Sequence, residues 1–194
     1  MNYDSILSTS HLKVLSLLAK YSDLEFYERE TARRLGISYG SANKVLNDLY
    51  SQQYLRRKKK GKMYFYRFDT ADPVFSHLKI LTNIVLLRPL IKKLKNVSSR
   101  IVLFGSCTRG EDFSKSDIDL FIVSDDKDKI FHTIRKYRFS QGFEGLVIQP
   151  VVFTCVDLLK SEKTDREFLS LVSEGIVLWD SLAHEDRIYN IKEA

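Results

Sequence analysis

The stretch GSCTRGEDFSKSDIDLFIV, Gly105 to Val123, restricts this chain more than any other. Ile101 to Phe104 is a short apolar run that predicts a buried strand. It stops at Gly105, where the lack of a Cβ permits a sharp turn and a close approach to a phosphate. Ser106 adds a hydroxyl donor, and the N–H groups of a helix opening after it would favour an anion at the same point. DIDLFIV then predicts a second strand, whose period of two puts Asp117 and Asp119 on one face and Ile118 and Leu120 on the other. Two such carboxylates repel, and one pKa rises unless a cation sits between them. Mg²⁺ suits the gap, since it takes one or two carboxylates together with phosphate oxygens. An Asp-x-Asp pair alone marks no more than a solvated strand end; the Gly-Ser turn upstream gives it meaning.

With these residues in place, the chain from about Ser99 to Val123 resembles the minimal nucleotidyltransferases of the DNA polymerase β superfamily. Gly105, Ser106, Arg109, Gly110, Ser116, Asp117 and Asp119 follow that family's order and spacing. The resemblance implies a small α/β domain with a mixed sheet. It also implies that Asp117 and Asp119 are metal ligands and catalytic carboxylates, with Gly105, Ser106, Arg109, Gly110 and Ser116 around a nucleoside triphosphate and Mg²⁺ as cofactor. A third carboxylate belongs on a later strand of the family. The strand predicted there, Leu146 to Thr154, contains none: Gln149 is its polar core residue, Glu144 precedes it, and Asp157 follows at what reads as a helix N-terminus. Similar acid-poor domains are joined to winged helices in archaeal proteins. The resemblance therefore implies either a domain that binds Mg-nucleotide with little transfer, or a transferase acting on a small molecule or a protein acceptor, as antitoxin relatives do.

The N-terminal third has another pattern. Glu28 to Leu55 predicts a helix ending at Leu35, a Gly36-Ile37 turn, Ser38 as N-cap and a second helix in which Ala42, Val45, Leu46 and Leu49 form one buried stripe. Its other face carries Tyr39, Ser41, Asn43, Lys44 and Asn47, side chains able to reach base edges and phosphates of double-stranded DNA. Leu12, Val14, Leu15, Leu17 and Leu18 predict a preceding helix that closes the core. Tyr54 to Phe68 follows as a hairpin with Lys60-Gly61 at its tip. It bears Arg56, Arg57, Lys58, Lys59, Lys60, Lys62 and Arg67 and no acid, and the whole resembles a winged helix-turn-helix of prokaryotic transcriptional regulators. In that resemblance Arg57, Lys58, Lys59, Lys60 and Lys62 meet DNA. Lysines on an edge hairpin also serve simply to block strand pairing.

Charge follows the same division. Residues 1–72 hold 13 Lys and Arg against 8 Asp and Glu, whereas 73–194 hold 18 against 17, so the positive field that attracts polyanions belongs to the first part. The expected organisation is two domains: an α+β winged helix over 1–72, able to fold alone, then a connecting helix over 73–95 and an α/β nucleotidyltransferase-like domain over 96–194. The boundary is placed at Asp69 to Pro73. In the connecting helix Leu78, Leu81, Ile84, Val85 and Leu87 predict an apolar side, and Pro89 predicts a kink or break. Packing against both domains and a homodimer seam each account for that apolar surface. No run of membrane-spanning length is read from the sequence, the start is unlike a signal peptide, and two cysteines with four scattered histidines form neither a disulfide framework nor a zinc site. A cytoplasmic protein without a membrane partner is expected.

Overall fold

A computed structural model describes residues 10–68 and 73–182 of the chain. Their Cα positions group into two compact units that are interleaved along the sequence. One contains residues up to Leu86 with Arg109–Ser116 and Phe139–Leu146; the other contains Leu87–Thr108, Asp117–Arg138 and the residues from Val147 onward. The expected boundary at 69–73 falls almost wholly outside the described residues.

In the first unit α1 (Ser10–Lys20), α2 (Glu28–Leu35) and α3 (Tyr39–Ser51) precede a hairpin of β1 (Leu55–Lys60) and β2 (Met63–Phe68). Helix α2 ends because Gly36 enters the left-handed region at φ 61°, and α3 begins because the Ser38 side chain accepts the Ser41 N–H. The stripe Ala42, Val45, Leu46 and Leu49 is buried with Val14, Leu17 and Leu18 of α1. The hairpin registers Leu55 against Phe68 and Lys60 against Met63, so the two-residue turn is Gly61-Lys62 and Lys60 ends β1. Phe26 makes an isolated antiparallel bridge to Tyr66 at the edge of this two-stranded hairpin.

In the second unit β3 (Arg100–Phe104), β4 (Ile118–Val123), β5 (Ile148–Phe153) and β6 (Ile176–Asp180) form a mixed sheet in the order β5-β4-β3-β6. β3 runs antiparallel to β4 and β6, and β4 runs parallel to β5. One face, Val102, Phe104, Phe121 and Val123, packs under Leu158 of α7 (Cys155–Thr164) and under Phe168, Leu169 and Val172 of α8 (Arg166–Ser173). On the other face Ile101, Leu103, Ile118, Leu120 and Ile122 are fully buried. A sixth helix of this series, α6 (Lys127–Lys136), starts at Asp126, whose side chain accepts the Lys129 N–H. Pro150 has no N–H to give to a neighbour, which an edge strand such as β5 tolerates.

The long helix α4 (Pro73–Leu94) departs from expectation in three ways. It runs past Pro89 without a break. The lost hydrogen bond and ring clash cost about 3 kcal/mol, but Leu86, Leu87, Leu90, Ile91 and Leu94 around it are buried, each by roughly 1.5–3 kcal/mol. Its expected apolar side turns inward only in part: Val85 and Leu87 are buried, but Leu81 is 44% exposed, whereas Lys79, Thr82 and Asn83 are buried. By length and composition Val74–Leu94 would also pass as a membrane span, yet its residues are divided between the cores of two units and include this buried polar group.

The reason for the polar burial is Asp112. Lys20 Nζ donates to Asp112 Oδ2 at 2.6 Å and to Asn83 Oδ1 at 2.8 Å, while Asn83 Nδ2 donates to Asp112 Oδ1 at 3.2 Å. Lys79 Nζ donates to the Ser22 hydroxyl and the Asp112 carbonyl, and lies 5.2 Å from the ring centres of both Phe75 and Phe113. Lys20 and Asp112 are both fully buried. A fragment ending at residue 72 therefore leaves Lys20 without Asn83 or Asp112 and is expected to be unstable, contrary to the autonomy read from its sequence. In the full chain, Asp112→Ala should lower the unfolding free energy by about 3–5 kcal/mol, because it strands a buried ammonium. Urea denaturation measures this, and a midpoint equal to that of the unaltered chain would place the pair outside the cooperative core.

Candidate functional site

In the second unit the strand–turn–strand motif has a definite geometry. β3 ends at Phe104, Gly105 turns at φ +75°, and α5 (Ser106–Arg109) is a single turn. What this turn can offer a phosphate is the Ser106 hydroxyl and local N–H groups, not the field of a long helix. Thr108 Oγ1 donates to the Gly105 carbonyl at 2.7 Å and Cys107, fully buried, donates weakly from Sγ to the Asp117 carbonyl at 3.7 Å, so the turn is tied to the start of β4. Any side chain at 105 would place its Cβ 2.6 Å from Asp119 Oδ2. Gly105 is thus needed twice, for its backbone conformation and for room beside a carboxylate.

Asp117 is exposed at the strand entrance, and Asp119, half-buried, lies within β4 on the face that carries Phe121 and Val123. Burial pushes the Asp119 carboxyl above its ordinary value, and the Asp117 charge pushes it in the same direction. The antiparallel register sets Phe104 opposite Asp119, and the parallel register sets Gln149 on its other side. Gln149 is exposed. Among the described residues no third His, Cys, Asp or Glu joins the two aspartates in a metal-binding group. The donor set still fits a hard divalent ion that fills its remaining positions with phosphate and water, since two mutually repelling carboxylates with hard oxygen donors are what such an ion relieves.

The other two acids near the later strand are occupied. Asp157 Oδ2 accepts from Lys127 Nζ at 2.7 Å and from the Thr154 N–H at 3.0 Å, and these bonds hold its carboxyl well below the usual carboxylate range. It lies in the first turn of α7, as its position predicts, and completes a reciprocal capping pair with Thr154, whose Oγ1 accepts the Asp157 N–H at 3.0 Å. Glu144 Oε2 accepts the Gly142 N–H at 3.0 Å and belongs to the first unit.

Three residues expected at a nucleotide, Arg109, Gly110 and Ser116, also fall in the first unit. Arg109 pairs with Glu111 at 2.7 Å, half exposed. A Cβ on Gly110, at φ +68°, would come within 2.6 Å of the Ser76 carbonyl on α4, so this glycine lets the segment lie on helix backbone. Ser116 Oγ accepts the Phe113 N–H at 2.9 Å and closes the segment as a turn.

On the first unit a concavity of about 520 Å³ lies between α3 and the hairpin, lined by Tyr39, Asn43, Asn47, Arg57, Lys62, Tyr64 and Tyr66 among others. Tyr39 and Lys44 are exposed. Ser41 and Asn47 are largely committed to the protein itself: Ser41 receives the Ser38 hydroxyl at 2.9 Å, and Asn47 donates to Asn43 while accepting from Arg57 at 3.4 Å and Tyr66 at 3.3 Å. The Arg57 guanidinium is stacked 4.1 Å from the Tyr50 ring centre and 4.4 Å from that of Tyr64. Strand parity divides the basic residues of β1. Arg57 and Lys59 pair across with the groove-lining Tyr66 and Tyr64, while Lys58 pairs with Phe65 and Lys60 with Met63 at the strand end, where Met63 also lines the groove. Lys60 is also paired with Glu25.

The polar group around Asp112 was not foreseen. The signal for it is Lys79 and Asn83, four apart and so on one face of α4.

A family model described as a nucleotidyltransferase domain matches residues 86–176, so a nucleotidyltransferase-like domain is present in this chain. No curated protein sequence matches it. Among solved structures, reduced HlyU from Vibrio cholerae N16961 is 20% identical over 44% of this chain and 81% of that one, with a TM-score of 0.32. HmgR from Pseudomonas aeruginosa is 14% identical over 98% of this chain and 73% of that one, with a TM-score of 0.29. Both scores are too low to establish a common fold.

A carboxylate whose folded pKa is raised is less well tolerated ionised in the folded chain than in the unfolded one. Asp119 therefore withdraws stability as pH rises from its ordinary value of 3.8 through the raised one. Asp119→Asn is accordingly expected to melt at a higher temperature than the unaltered chain at neutral pH in chelator. Added Mg²⁺ should raise the melting temperature of the unaltered chain and leave the variant unmoved. A variant that melts lower in chelator would mean that the carboxylate is already compensated within the protein.

Proposed function

We propose that this chain is a DNA-binding regulator of the winged-helix type whose nucleotidyltransferase-like domain holds a nucleoside triphosphate with Mg²⁺ and turns it over poorly. The observation that carries this reading is the β4/β5 register, with Gln149 directly beside Asp119. A neutral amide there can neither add charge to a metal site nor accept a proton from an attacking hydroxyl. In this reading Asp117 and Asp119 hold the ion and Gly105 and Ser106 the phosphates. When bound, Mg²⁺ supplies the counter-charge for the triphosphate. Asp157 is a poor substitute base, since Lys127 and the Thr154 N–H already hold it as an anion.

For the first unit, the order helix, turn, helix and basic hairpin supports duplex binding. α3 reads base edges through Tyr39, Asn43 and Lys44, while Arg57, Lys59 and Lys62 meet phosphates. Asn47 and Ser41 shape the surface more than they read it. Neither cysteine is in a disulfide, and Cys155 is exposed, which suits a reducing cytoplasm.

Labelled triphosphates incubated with the chain, alone and with cell extract, test the catalytic half. Binding with Mg²⁺ and little transfer is expected, with binding lost in the Asp117→Asn, Asp119→Asn double variant. Gln149→Glu should raise transfer above the unaltered level. Efficient transfer by the unaltered chain that depends on Asp117 would make it an active transferase with a protein or small-molecule acceptor instead.

The salt dependence of duplex binding tests the DNA half. Arg57→Ala and Lys62→Ala should each flatten the slope of log K against log salt by about 0.9 for a lost phosphate contact, and Lys60→Ala should leave it nearly unchanged. Asn43→Ala should instead lower preference for the cognate site by roughly 1–3 kcal/mol. Equal effects of Lys60 and Lys62 would overturn the division of the hairpin into a DNA face and an outer face.

A further inference from the structure

Two segments that lead into the nucleotide motif do not fold with it. Arg109–Ser116 links Ser106 to Asp117, and Phe139–Leu146 runs into the strand that carries Gln149, yet both belong to the unit of α1, α2 and α3. The first is fastened to the end of α1 by Lys20 and Asp112, both fully buried. At its outer end Asp23 accepts the Ser114 N–H at 3.0 Å and the Ser114 hydroxyl at 2.6 Å. The second lies on the turn between α2 and α3. There Gln141 Nε2 donates to the Arg33 carbonyl at 3.4 Å and packs on Gly36 so closely that an added Cβ would meet it at 2.6 Å. Beside it, a Cβ on Gly142 would lie 3.2 Å from the Arg34 carbonyl, and Phe143 stacks on Tyr21 with ring centres 6.1 Å apart. The straps thus grip the helix that packs on α3 and the turn that aims α3.

We propose that these two straps make nucleotide and DNA binding interdependent: a nucleotide with Mg²⁺ at Gly105, Ser106, Asp117 and Asp119 tightens the grip of α3 and the hairpin on duplex DNA. This rests on the nucleotide-binding reading above. The strap of Arg109–Ser116 is held at residues flanking both halves of the motif, so a ligand that fixes Ser106 and Asp117 fixes its two ends. Less freedom then remains to be lost when the DNA-binding unit orders on a duplex. The strap cannot yield by sliding, since that would part a buried ammonium from its carboxylate. Linkage makes the effect reciprocal: DNA tightens nucleotide binding by the same factor.

The test uses the full chain, a fluorescent mixed-sequence duplex, and ATP, GTP, CTP and UTP each with Mg²⁺. Calorimetry first measures nucleotide binding, and anisotropy then measures duplex affinity with and without saturating nucleotide. One nucleotide is expected to tighten duplex binding by about 5- to 150-fold. Asp112→Asn, Asp23→Ala and Gln141→Ala should each reduce that factor towards one while leaving nucleotide binding alone intact. Should Asp112→Asn fail to fold, the two outer anchors decide the matter. Nucleotide binding without any change in duplex affinity would overturn the coupling and leave the nucleotide reading standing. Absence of nucleotide binding would remove both. A tightening equally large in Asp23→Ala and Gln141→Ala would also overturn the proposal, because the straps would then not carry it.

Discussion

The buried pair of Lys20 and Asp112 is the constraint on which the first unit depends. An ammonium taken wholly out of water needs a matching charge and hydrogen-bond acceptors, and here Asp112 matches the charge while Asp112 and Asn83 accept two of its three protons. Satisfying Lys20 dictates which side of α4 turns inward, and hence why Leu81 is left outside while Asn83 and Lys79 are inside. It also dictates that Arg109–Ser116 lies on α4, which in turn requires a glycine at 110 against the Ser76 backbone. A single charge match thus sets a helix face, a loop path and a glycine.

In the second unit the corresponding tension is unrelieved by the protein. Asp119 is half-buried, next to Asp117, with Gly105 leaving room for its carboxylate and Gln149 beside it in the sheet. A carboxylate held in this way, half-buried beside a second one, is disfavoured as an anion in the folded chain. Whether such a site also catalyses depends on a proton acceptor, and the neighbouring strand position holds an amide.

The elements with strong local signals were legible in the sequence. Ala42, Val45, Leu46 and Leu49 declared α3 by helical spacing, Gly36 and Ser38 declared its start, and alternation declared β4 with Asp119, although the strand begins at Ile118 and leaves Asp117 just before it. The missing acid on β5 could be read as well, although only the parallel register shows that Gln149 stands next to Asp119. What stayed hidden depends on contacts distant in sequence. Leu78 and Leu81 looked like the inner face of α4 because pattern reading counts apolar side chains and cannot know that Lys20 waits for a partner. Pro89 looked like a break because propensity is local, whereas the leucines that override it are buried by the rest of the fold. The straps were assigned to the domain their motif belongs to, since nothing in their own residues names the helices they lie on.

The distance between Lys20 and Asp112 along the chain also has a meaning for synthesis. They are 92 residues apart, and at roughly 5–20 residues per second the ribosome needs about 5–18 s to deliver the second after the first. During that interval α1, α2, α3 and the hairpin have all emerged, but α1 ends in a lysine whose burial has no counter-charge. The nascent chain must keep that end of the helix hydrated until the turn of the nucleotide motif appears. The first unit is therefore completed late, by residues made after its helices and hairpin, and a ribosome that stalls before Asp112 leaves a basic, unfinished fragment.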